Sequence, residues 1–321
     1  MSCTSSDVVM AATAAGARIA GLVRRTPLER SAEFSAAVAA DVYLKLENRQ
    51  ITGSFKLRGA SNRMLTLTPA QRAQGCVAAS SGNHGAAVAY ALRQLVVGGV
   101  IFVPQHTSAA KVAVMRGYGA DVQFFGTDGL DTEQHARAYA ASHDMVYLSP
   151  YNDAEVIAGQ ATCGIEIVEQ LPDVDAVFVA VGGGGLVSGV GSVLKAHNPA
   201  VRIYGCQPAA SAVMAASVAA GVILDLPSGP TLSDGTAGGI EADAMTFELC
   251  GELVDEFVLV SELEIAHAMQ SYIAAYAEPI EGAAGVALAA LLARKADIAG
   301  RRIVVIICGG NVSQQVIDQV Q

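Results

Sequence analysis

The stretch Ala176-Val177-Phe178-Val179-Ala180-Val181-Gly182-Gly183-Gly184-Gly185 predicts the fold class of this chain. Its unbroken apolar run is typical of a strand buried on both faces of a parallel sheet. A helical pattern follows from about 186 to 196, so the stretch forms a strand–turn–helix unit. Successive glycines carry no Cβ, and their N–H groups can surround a phosphate at a helix N-terminus. We predict an anion-binding turn; a merely tight connection is the alternative, and neither a Walker loop nor a GxGxxG motif is present.

The same alternation of short apolar strands and helices extends on both sides of this stretch. Strands are predicted at 42–47, 76–79, 100–103, 121–125, 145–148, 201–206, 257–260 and 302–307. Helices are predicted at 7–22, 56–67, 83–95, 108–118, 131–142, 154–170, 186–196, 261–276 and 283–296, with a last helix after Asn311. The pattern predicts parallel sheets covered by helices, while the Ala/Gly/Pro-rich stretch 208–250 shows no clear period.

The length of 321 residues favours two domains rather than one small core. Residues 76–149 could close as a small inserted domain, which leaves 1–75 and 150–321 as a large domain. The carboxyl ends of the strands would then face a shared cleft, where open α/β sheets bind their ligands.

The composition excludes several classes of partner. The net charge is −10 and no basic run is present, which argues against nucleic acid or an anionic membrane surface. The six cysteines show no CxxC pair and no metal-ligand spacing, as expected of reduced thiols. The apolar stretches are too short to span a bilayer, and no signal-peptide pattern opens the chain. We expect a soluble, cytoplasmic protein.

Lys56 is the strongest candidate for a reactive residue. It follows a polar turn and opens a helical pattern, with Ser54 as the predicted N-cap. The helix dipole and the neighbouring Phe55 would lower the pKa of the amine and favour the neutral form that attacks carbonyl groups. The alternative is an ordinary solvated lysine at a helix start.

Three further segments lie where a strand is predicted to end or a helix to begin. Ser80-Ser81-Gly82-Asn83-His84-Gly85 offers hydroxyl, amide and N–H groups to a carboxylate, although it could be only an N-cap cluster with a structural histidine. Cys308 ends the last strand and could be only a buried small side chain. Glu281 opens an Ala-rich helix and could be only a favourable N-terminal acid. A poised lysine, a phosphate turn and a carboxylate loop together are what pyridoxal phosphate and an α-amino acid require.

These motifs give the sequence a specific resemblance. It resembles the serine/threonine dehydratase and serine racemase family, of the tryptophan-synthase-β-like fold (fold type II of the pyridoxal phosphate enzymes), from about Arg25 to Asn311. The resemblance implies two open parallel-sheet α/β domains with the cofactor in the interdomain cleft. The motifs that carry it are Gly-Ser-Phe-Lys-x-Arg-Gly-Ala at 53–60, Ser-Ser-Gly-Asn-His-Gly at 80–85, Ile-Ala-Gly-Gln at 157–160, the glycines at 182–185 and Cys-Gly-Gly-Asn at 308–311.

The resemblance also implies a role for each site residue. Lys56 would be the Schiff-base lysine and the general base for the Cα proton. The other cofactor contacts would be Phe55 beside the ring, Asn83 at the 3′-oxygen, Gly182 to Gly185 at the phosphate, Glu281 nearby and Cys308 at the pyridine nitrogen. The substrate carboxylate would bind the loop of Ser80, Ser81, Gly82, Asn83 and His84. Ser81 also matches the serine that acts on the opposite face of Cα in racemases.

Two positions depart from the family pattern. Gln207 and Val213 stand where metal-activated relatives carry acids, so we predict no divalent metal there, although the Gln207 carbonyl could join a weak monovalent site. Tyr151 lies at the pocket edge where relatives carry asparagine or phenylalanine. An aromatic residue there favours the dehydratases and could suit a larger β-substituent. We also expect no C-terminal regulatory domain.

The resulting hypothesis is a pyridoxal-phosphate-dependent dehydratase of a β-hydroxy-α-amino acid, a small-molecule substrate. Threonine and serine are the family default, and phenylserine and 3-hydroxyaspartate stay open. The alternatives are an amino-acid racemase that uses Lys56 and Ser81, and a catalytically silent binding protein that kept the fold. A homodimer or a larger homo-oligomer is expected.

Overall fold

The structure is a computed structural model that describes residues 3–320. The strands are Leu28–Arg30 (β1), Asp41–Lys45 (β2), Cys76–Ala79 (β3), Gly99–Val103 (β4), Asp121–Phe124 (β5), Val146–Tyr147 (β6), Ala176–Ala180 (β7), Arg202–Pro208 (β8), Glu256–Val260 (β9) and Arg302–Ile306 (β10). The helices are Ser5–Ile19 (α1), Ala32–Val38 (α2), Lys56–Leu65 (α3), Pro69–Gln74 (α4), Asn83–Leu95 (α5), Ala109–Gly117 (α6), Gly129–Ser142 (α7), Ala154–Gln170 (α8), Gly185–His197 (α9), Val213–Ala220 (α10), Met245–Leu253 (α11), Glu262–Tyr276 (α12), Gly282–Ala293 (α13), Lys295–Ile298 (α14) and Gln314–Val320 (α15).

The larger sheet has six strands in the order β1-β2-β10-β7-β8-β9. Every neighbouring pair is parallel except β1 and β2, whose register sets Leu28 opposite Lys45. All residues of β7 are buried, as expected of a strand covered by helices on both faces. The prediction of a parallel-sheet α/β fold is confirmed, and the antiparallel edge strand β1 is an addition that its short, mixed sequence does not signal.

The smaller sheet has four parallel strands in the order β5-β4-β3-β6, all from residues 76–147. Helix α3 lies outside that segment, yet Leu57, Ala60 and Met64 pack into the same apolar core as the smaller sheet. On its other side α3 meets α8, where a Cβ on Gly59 would come within 2.8 Å of the Val156 carbonyl oxygen. The division into 1–75 with 150–321 and 76–149 therefore stays a prediction.

Most predicted helices are present with small shifts of their ends, but the predicted cap of α3 is wrong. Helix α3 begins at Lys56, the N-cap position is Phe55, and no side chain caps it. Ser54 is fully buried, its hydroxyl has no hydrogen-bond partner, and its backbone pairs with Gly309 in an isolated antiparallel bridge. The loop before α3 is thus held by the pairing of Ser54 with Gly309, which follows strand β10, and not by a helix cap.

Several short helices were not predicted from the sequence. Helix α10 lies in the Ala/Gly/Pro-rich stretch and α11 begins in it, and α2 and α4 are each shorter than two full helical turns. These four helices have 6 to 9 residues each, which is too few turns for a clear apolar period. No helix within residues 3–320 is long and apolar enough to cross a membrane.

Candidate active site

A cavity of about 560 Å³ lies at the carboxyl ends of strands from both sheets. It brings together every site residue predicted from the sequence. These are Phe55, Lys56, Ser80, Ser81, Gly82, Asn83, His84, Tyr151, Gly182, Gly183, Gly184, Gly185, Glu281 and Cys308.

Lys56 enters the cavity from the first position of α3. Its Nζ donates to the Pro150 carbonyl oxygen at 2.9 Å and lies 5.1 Å from the centroid of the Phe55 ring. Burial lowers the pKa of the amine to about 8, although the nearby Cys308 and Glu281 oppose the shift. About a tenth of the amine is therefore neutral at pH 7, far more than for a lysine with the ordinary pKa, and the neutral form is the nucleophile.

The four glycines turn the chain from β7 into α9. Gly184 has φ +85°, a conformation that favours glycine. A Cβ on Gly183 would lie 2.5 Å from the Tyr151 ring, and one on Gly182 would lie 3.0 Å from Thr236 Cα. Side chains are thus excluded, and the four glycines line this part of the cavity at the start of a helix. Backbone N–H groups in such a turn can bind a phosphate group.

The segment after β3 lines another wall of the cavity. The Gly82 N–H donates to the Ser80 hydroxyl at 3.2 Å, which shapes the turn into α5. His84 is buried, and its Nε2 lies 2.8 Å from the Leu148 carbonyl oxygen. Burial and the nearby Lys56 lower the pKa of His84 to about 3. His84 is therefore neutral, with Nε2 protonated because a carbonyl can only accept.

Glu281 is buried beside this loop without a cation in contact. The Asn83 side-chain amide donates to both carboxylate oxygens at 2.9 and 2.8 Å, and the Asn311 N–H donates at 2.8 Å. Burial raises the pKa of Glu281 to about 7, against the opposing effect of these hydrogen bonds. A Cβ on Gly309 would lie 2.7 Å from the carboxylate oxygens, so the glycine makes room for the acid.

Cys308 is buried at the base of the cavity, and its carbonyl accepts from the Phe55 N–H at 3.1 Å. Burial and Glu281 raise the pKa of the thiol. The sulfur therefore stays protonated and uncharged, in keeping with a neutral group beside a pyridine nitrogen.

Tyr151 covers the glycine turn from the other side. Its hydroxyl oxygen accepts from the Glu241 N–H at 2.9 Å, and burial raises the pKa of the phenol. A Cβ on Gly185 would also meet Tyr151, at 3.1 Å from its Cα. Tyr151 is thus a fixed apolar wall of the cavity.

Sequence reasoning missed several residues that line the cavity. Asn311 donates from its side chain to the Asn83 oxygen at 2.7 Å, and its presence in the Cys-Gly-Gly-Asn motif was the available signal. Lys111 and Asp234 form an ion pair of 3.5 Å at the cavity wall. Asp234 lies in the stretch 208–250, where no period marks a helix or strand.

Gln207, whose carbonyl was left open as part of a weak monovalent site, makes hydrogen bonds with both ends of its amide. The Gln207 Nε2 donates to the Val181 carbonyl at 3.0 Å, and its Oε1 accepts from the Ala215 N–H at 2.8 Å. Both ends of the amide are therefore engaged within the protein. Within residues 3–320 no group of three or more His, Cys, Asp or Glu side chains could hold a metal ion.

A glycine phosphate turn, a partly neutral lysine and a neutral thiol in one cavity fit pyridoxal phosphate. The chain belongs to the family described as "Pyridoxal-phosphate dependent enzyme", which it matches over residues 19–309. The predicted cofactor, pyridoxal 5′-phosphate, is confirmed by this membership.

Two relatives carry names that state an activity on L-threonine. The chain is 40% identical over 299 residues to the L-threonine ammonia-lyase of Thermotoga maritima, covering 93% of this chain and 74% of the relative. It is 39% identical over 305 residues to the catabolic L-threonine dehydratase TdcB of Escherichia coli K12, covering 94% and 92%.

The solved structures give the same family resemblance. The processed form of threonine deaminase isoform 2 from Solanum lycopersicum superposes with a TM-score of 0.93 at 32% identity, covering 100% of this chain and 94% of that one. Maize serine racemase superposes with a TM-score of 0.91 at 33% identity, covering 97% and 95%. The predicted resemblance and fold class are confirmed.

Proposed function

We propose that this chain is a pyridoxal-phosphate-dependent ammonia-lyase that converts L-threonine, and L-serine more slowly, to a 2-oxo acid and ammonia. The observation that carries the proposal is Lys56. Its amine contacts a carbonyl and no carboxylate, and burial lowers its pKa to about 8 in the cavity that holds the glycine turn. The threonine preference rests on the named activities of the relatives at 40% and 39% identity.

The residues of the cavity divide the work of binding and proton transfer. The N–H groups of the glycine turn would hold the cofactor phosphate, and the neutral Cys308 thiol would face the ring nitrogen. The N–H groups and hydroxyls of the segment from Ser80 to His84 would bind the substrate carboxylate. Lys56 would form the covalent bond to the cofactor and, as a free amine, take the Cα proton. When bound, pyridoxal phosphate supplies the electron sink for the cleaved Cα–H bond.

A racemase of the same fold is the second candidate. Ser81 lines the same cavity as Lys56, so a second proton-transfer group is available to the substrate. The overall likeness to maize serine racemase, at a TM-score of 0.91, supports retaining this candidate.

The deciding experiment measures 2-oxo acid and ammonia release from purified, cofactor-loaded protein. The substrates are L-threonine, L-serine, L-threo-phenylserine and 3-hydroxyaspartate, each with and without EDTA. Equal amounts of 2-oxo acid and ammonia from L-threonine, with EDTA having no effect, are expected. Inversion at Cα by chiral chromatography without product release would overturn the lyase proposal in favour of the racemase. Lys56→Ala serves as the blank for spontaneous breakdown.

We further propose that the protein works in the cytoplasm as a homodimer or larger homo-oligomer. All six cysteines are unpaired and five of them are buried, which suits a reducing compartment. Light scattering coupled to size exclusion would measure the assembly, and a monomer at micromolar concentration would contradict this proposal.

A further inference from the structure

Gln207 is a buried side chain that joins two elements around the glycine turn. It is 1% exposed and lies on β8, the strand next to β7. Its Nε2 donates to the carbonyl of Val181, the residue directly before Gly182. Its Oε1 accepts from the N–H of Ala215 in α10. One amide thus fixes the last carbonyl before the turn and a free N–H at the start of a helix.

Helix α10 depends on this amide for its capping. Ala212 occupies the N-cap position and has no side-chain oxygen to offer. Ala215 is the third residue of α10, and its N–H is one of the first-turn donors that lack a partner within the helix. The Gln207 oxygen, which comes from a distant part of the chain, takes that role.

The glycine turn packs directly against α10. A Cβ on Gly184 would lie 3.2 Å from Met214 Cε and 2.8 Å from the Cys250 sulfur. The turn therefore has neighbours on the α10 and α11 side that leave it little space. A displacement of α10 or of the Val181 carbonyl would move the glycines that line the cavity.

We propose that Gln207 is a positioning residue for the phosphate-binding turn, and that its neutral amide does this without a bound cation. Val181 needs a donor and Ala215 needs an acceptor, and an uncharged amide offers both at once. A carboxylate can only accept, and a metal ion would satisfy only the oxygen. The inference rests on the proposed function only in that the turn binds the cofactor phosphate.

The test is Gln207→Glu in the cofactor-free protein. The introduced carboxylate would still accept from Ala215 but would face the Val181 oxygen without a proton. We expect the dissociation constant for pyridoxal phosphate to rise at least about tenfold in the ionised state. The loss should shrink at lower pH, where the introduced carboxyl group is protonated and can donate to the Val181 oxygen. The ratio of variant to wild-type affinity cancels the titration of the cofactor itself.

A second probe isolates the turn from Lys56. Pyridoxine phosphate carries the phosphate and the ring but cannot form an imine, so its affinity reports binding without the covalent bond to Lys56. The same pH-dependent loss is expected with it, and a loss seen only with pyridoxal phosphate would overturn the proposal.

Gln50→Glu is the matched control. Gln50 is also buried, and its amide accepts from the Arg24 N–H at 2.8 Å and donates to the Arg24 carbonyl at 2.9 Å. It bridges backbone groups away from the turn, so affinity for pyridoxine phosphate should not change. Thermal unfolding of both variants checks that they fold.

Three further results would overturn the inference. They are equal affinity of Gln207→Glu and wild type at every pH, an equal loss in Gln50→Glu, and a fall in wild-type affinity when EDTA is added or when sodium and potassium are replaced by tetramethylammonium. Each concerns cofactor binding, so failure to release 2-oxo acid from the substrate panel would leave this conclusion unaffected.

Discussion

Two buried glutamates in this protein have pKa values that are shifted in opposite directions. Glu47 is fully buried, and burial alone would raise its pKa, but the Arg58 guanidinium, which donates to it at 2.8 and 2.7 Å, holds that pKa below its usual value. Glu281 is 6% exposed and meets only uncharged donors, so burial raises its pKa to about 7. The partner, and not the depth of burial, decides whether the carboxylate stays charged.

The cations on α3 show the same contrast two residues apart. Burial would lower the pKa of Arg58, but Glu47 and Glu166 raise it well above its usual value. Lys56 contacts only a carbonyl, and burial lowers its pKa to about 8. The network behind α3 is charge-balanced and structural, whereas neither Lys56 nor Glu281 has an ion-pair partner within the part of the chain that the structure describes. A group without such a partner is free to exchange a proton, which catalysis needs.

Lys56→Ala should give the largest effect on activity. It removes both the covalent attachment and the proton acceptor, so kcat should fall at least about a thousandfold. Stopped assays of 2-oxo acid release would measure the loss, and the visible absorbance band of the bound cofactor should disappear. Lys56→Arg keeps a cation but stays protonated and should be equally inactive. Retained activity in Lys56→Ala would mean that the reacting amine lies elsewhere in the protein.

Glu47→Gln should give the largest effect on stability. It leaves Arg58 fully buried with Glu166 as its remaining carboxylate, and breaking a buried pair costs about 3 kcal/mol or more. Urea unfolding of the cofactor-free protein would measure this. Asp41→Asn removes an ion pair to Arg30 whose side chains are each 51% exposed, and should cost less than about 1 kcal/mol. Equal losses would remove the distinction between the two regions.

The sequence was most informative where long apolar periods occur. The predicted helix at 154–170 coincides with α8, and the strand at 176–181 is one residue longer than β7. Residues 208–250 could not be assigned, because Ala, Gly and Pro give weak contrast between faces. The Ser54 cap failed because a long-range bridge to Gly309 holds that segment, and local patterns do not report distant pairings.

The candidate site could be assembled from motifs, but most of its electrostatics could not. The sequence places Glu281 and Asn311 in separate motifs. Only the fold shows that the Asn311 N–H donates to the Glu281 carboxylate. The amide bridge of Gln207 is equally hidden, since the polar partners are backbone atoms of Val181 and Ala215. The lowered pKa of Lys56 was predicted from the sequence, although burial and not the helix dipole is its main cause. The pKa shifts of Glu281 and His84 depend on burial and contacts that only the fold creates.

Glu281→Gln tests the buried glutamate that has only uncharged hydrogen-bond donors around it. A raised folded-state pKa means that the native carboxyl holds its proton longer, so Glu281 costs stability as pH rises from about 4.5 to about 7. The variant should lack this loss and be more stable than wild type at pH 8 by up to about 3 kcal/mol. Lys56 acts in a separate window, from about 8 to 10.5, where rising pH relieves its cost.

Urea unfolding of both cofactor-free proteins across this range gives the difference curve. His84, whose pKa is lowered, contributes with the opposite sign in both proteins and cancels. Glu278→Gln is the control, because that side chain is 40% exposed and lies in the same segment. A difference curve that is flat between wild type and Glu281→Gln would contradict the assignment of a proton to Glu281.

Tyr151→Phe should give the smallest effect, because it changes one uncharged contact and keeps the apolar wall. The variant loses the partly buried hydrogen bond of 2.9 Å that the Glu241 N–H donates to the phenol oxygen. This loss should lower the free energy of unfolding by about 1 kcal/mol. The ring that covers Gly183 remains, so kcat/KM for L-threonine should fall by no more than about threefold, which corresponds to about 0.7 kcal/mol. A much larger fall would mean that the phenol takes part in proton transfer. In that case Tyr151 would be a third group of the cavity, beside Lys56 and Glu281, that can exchange a proton.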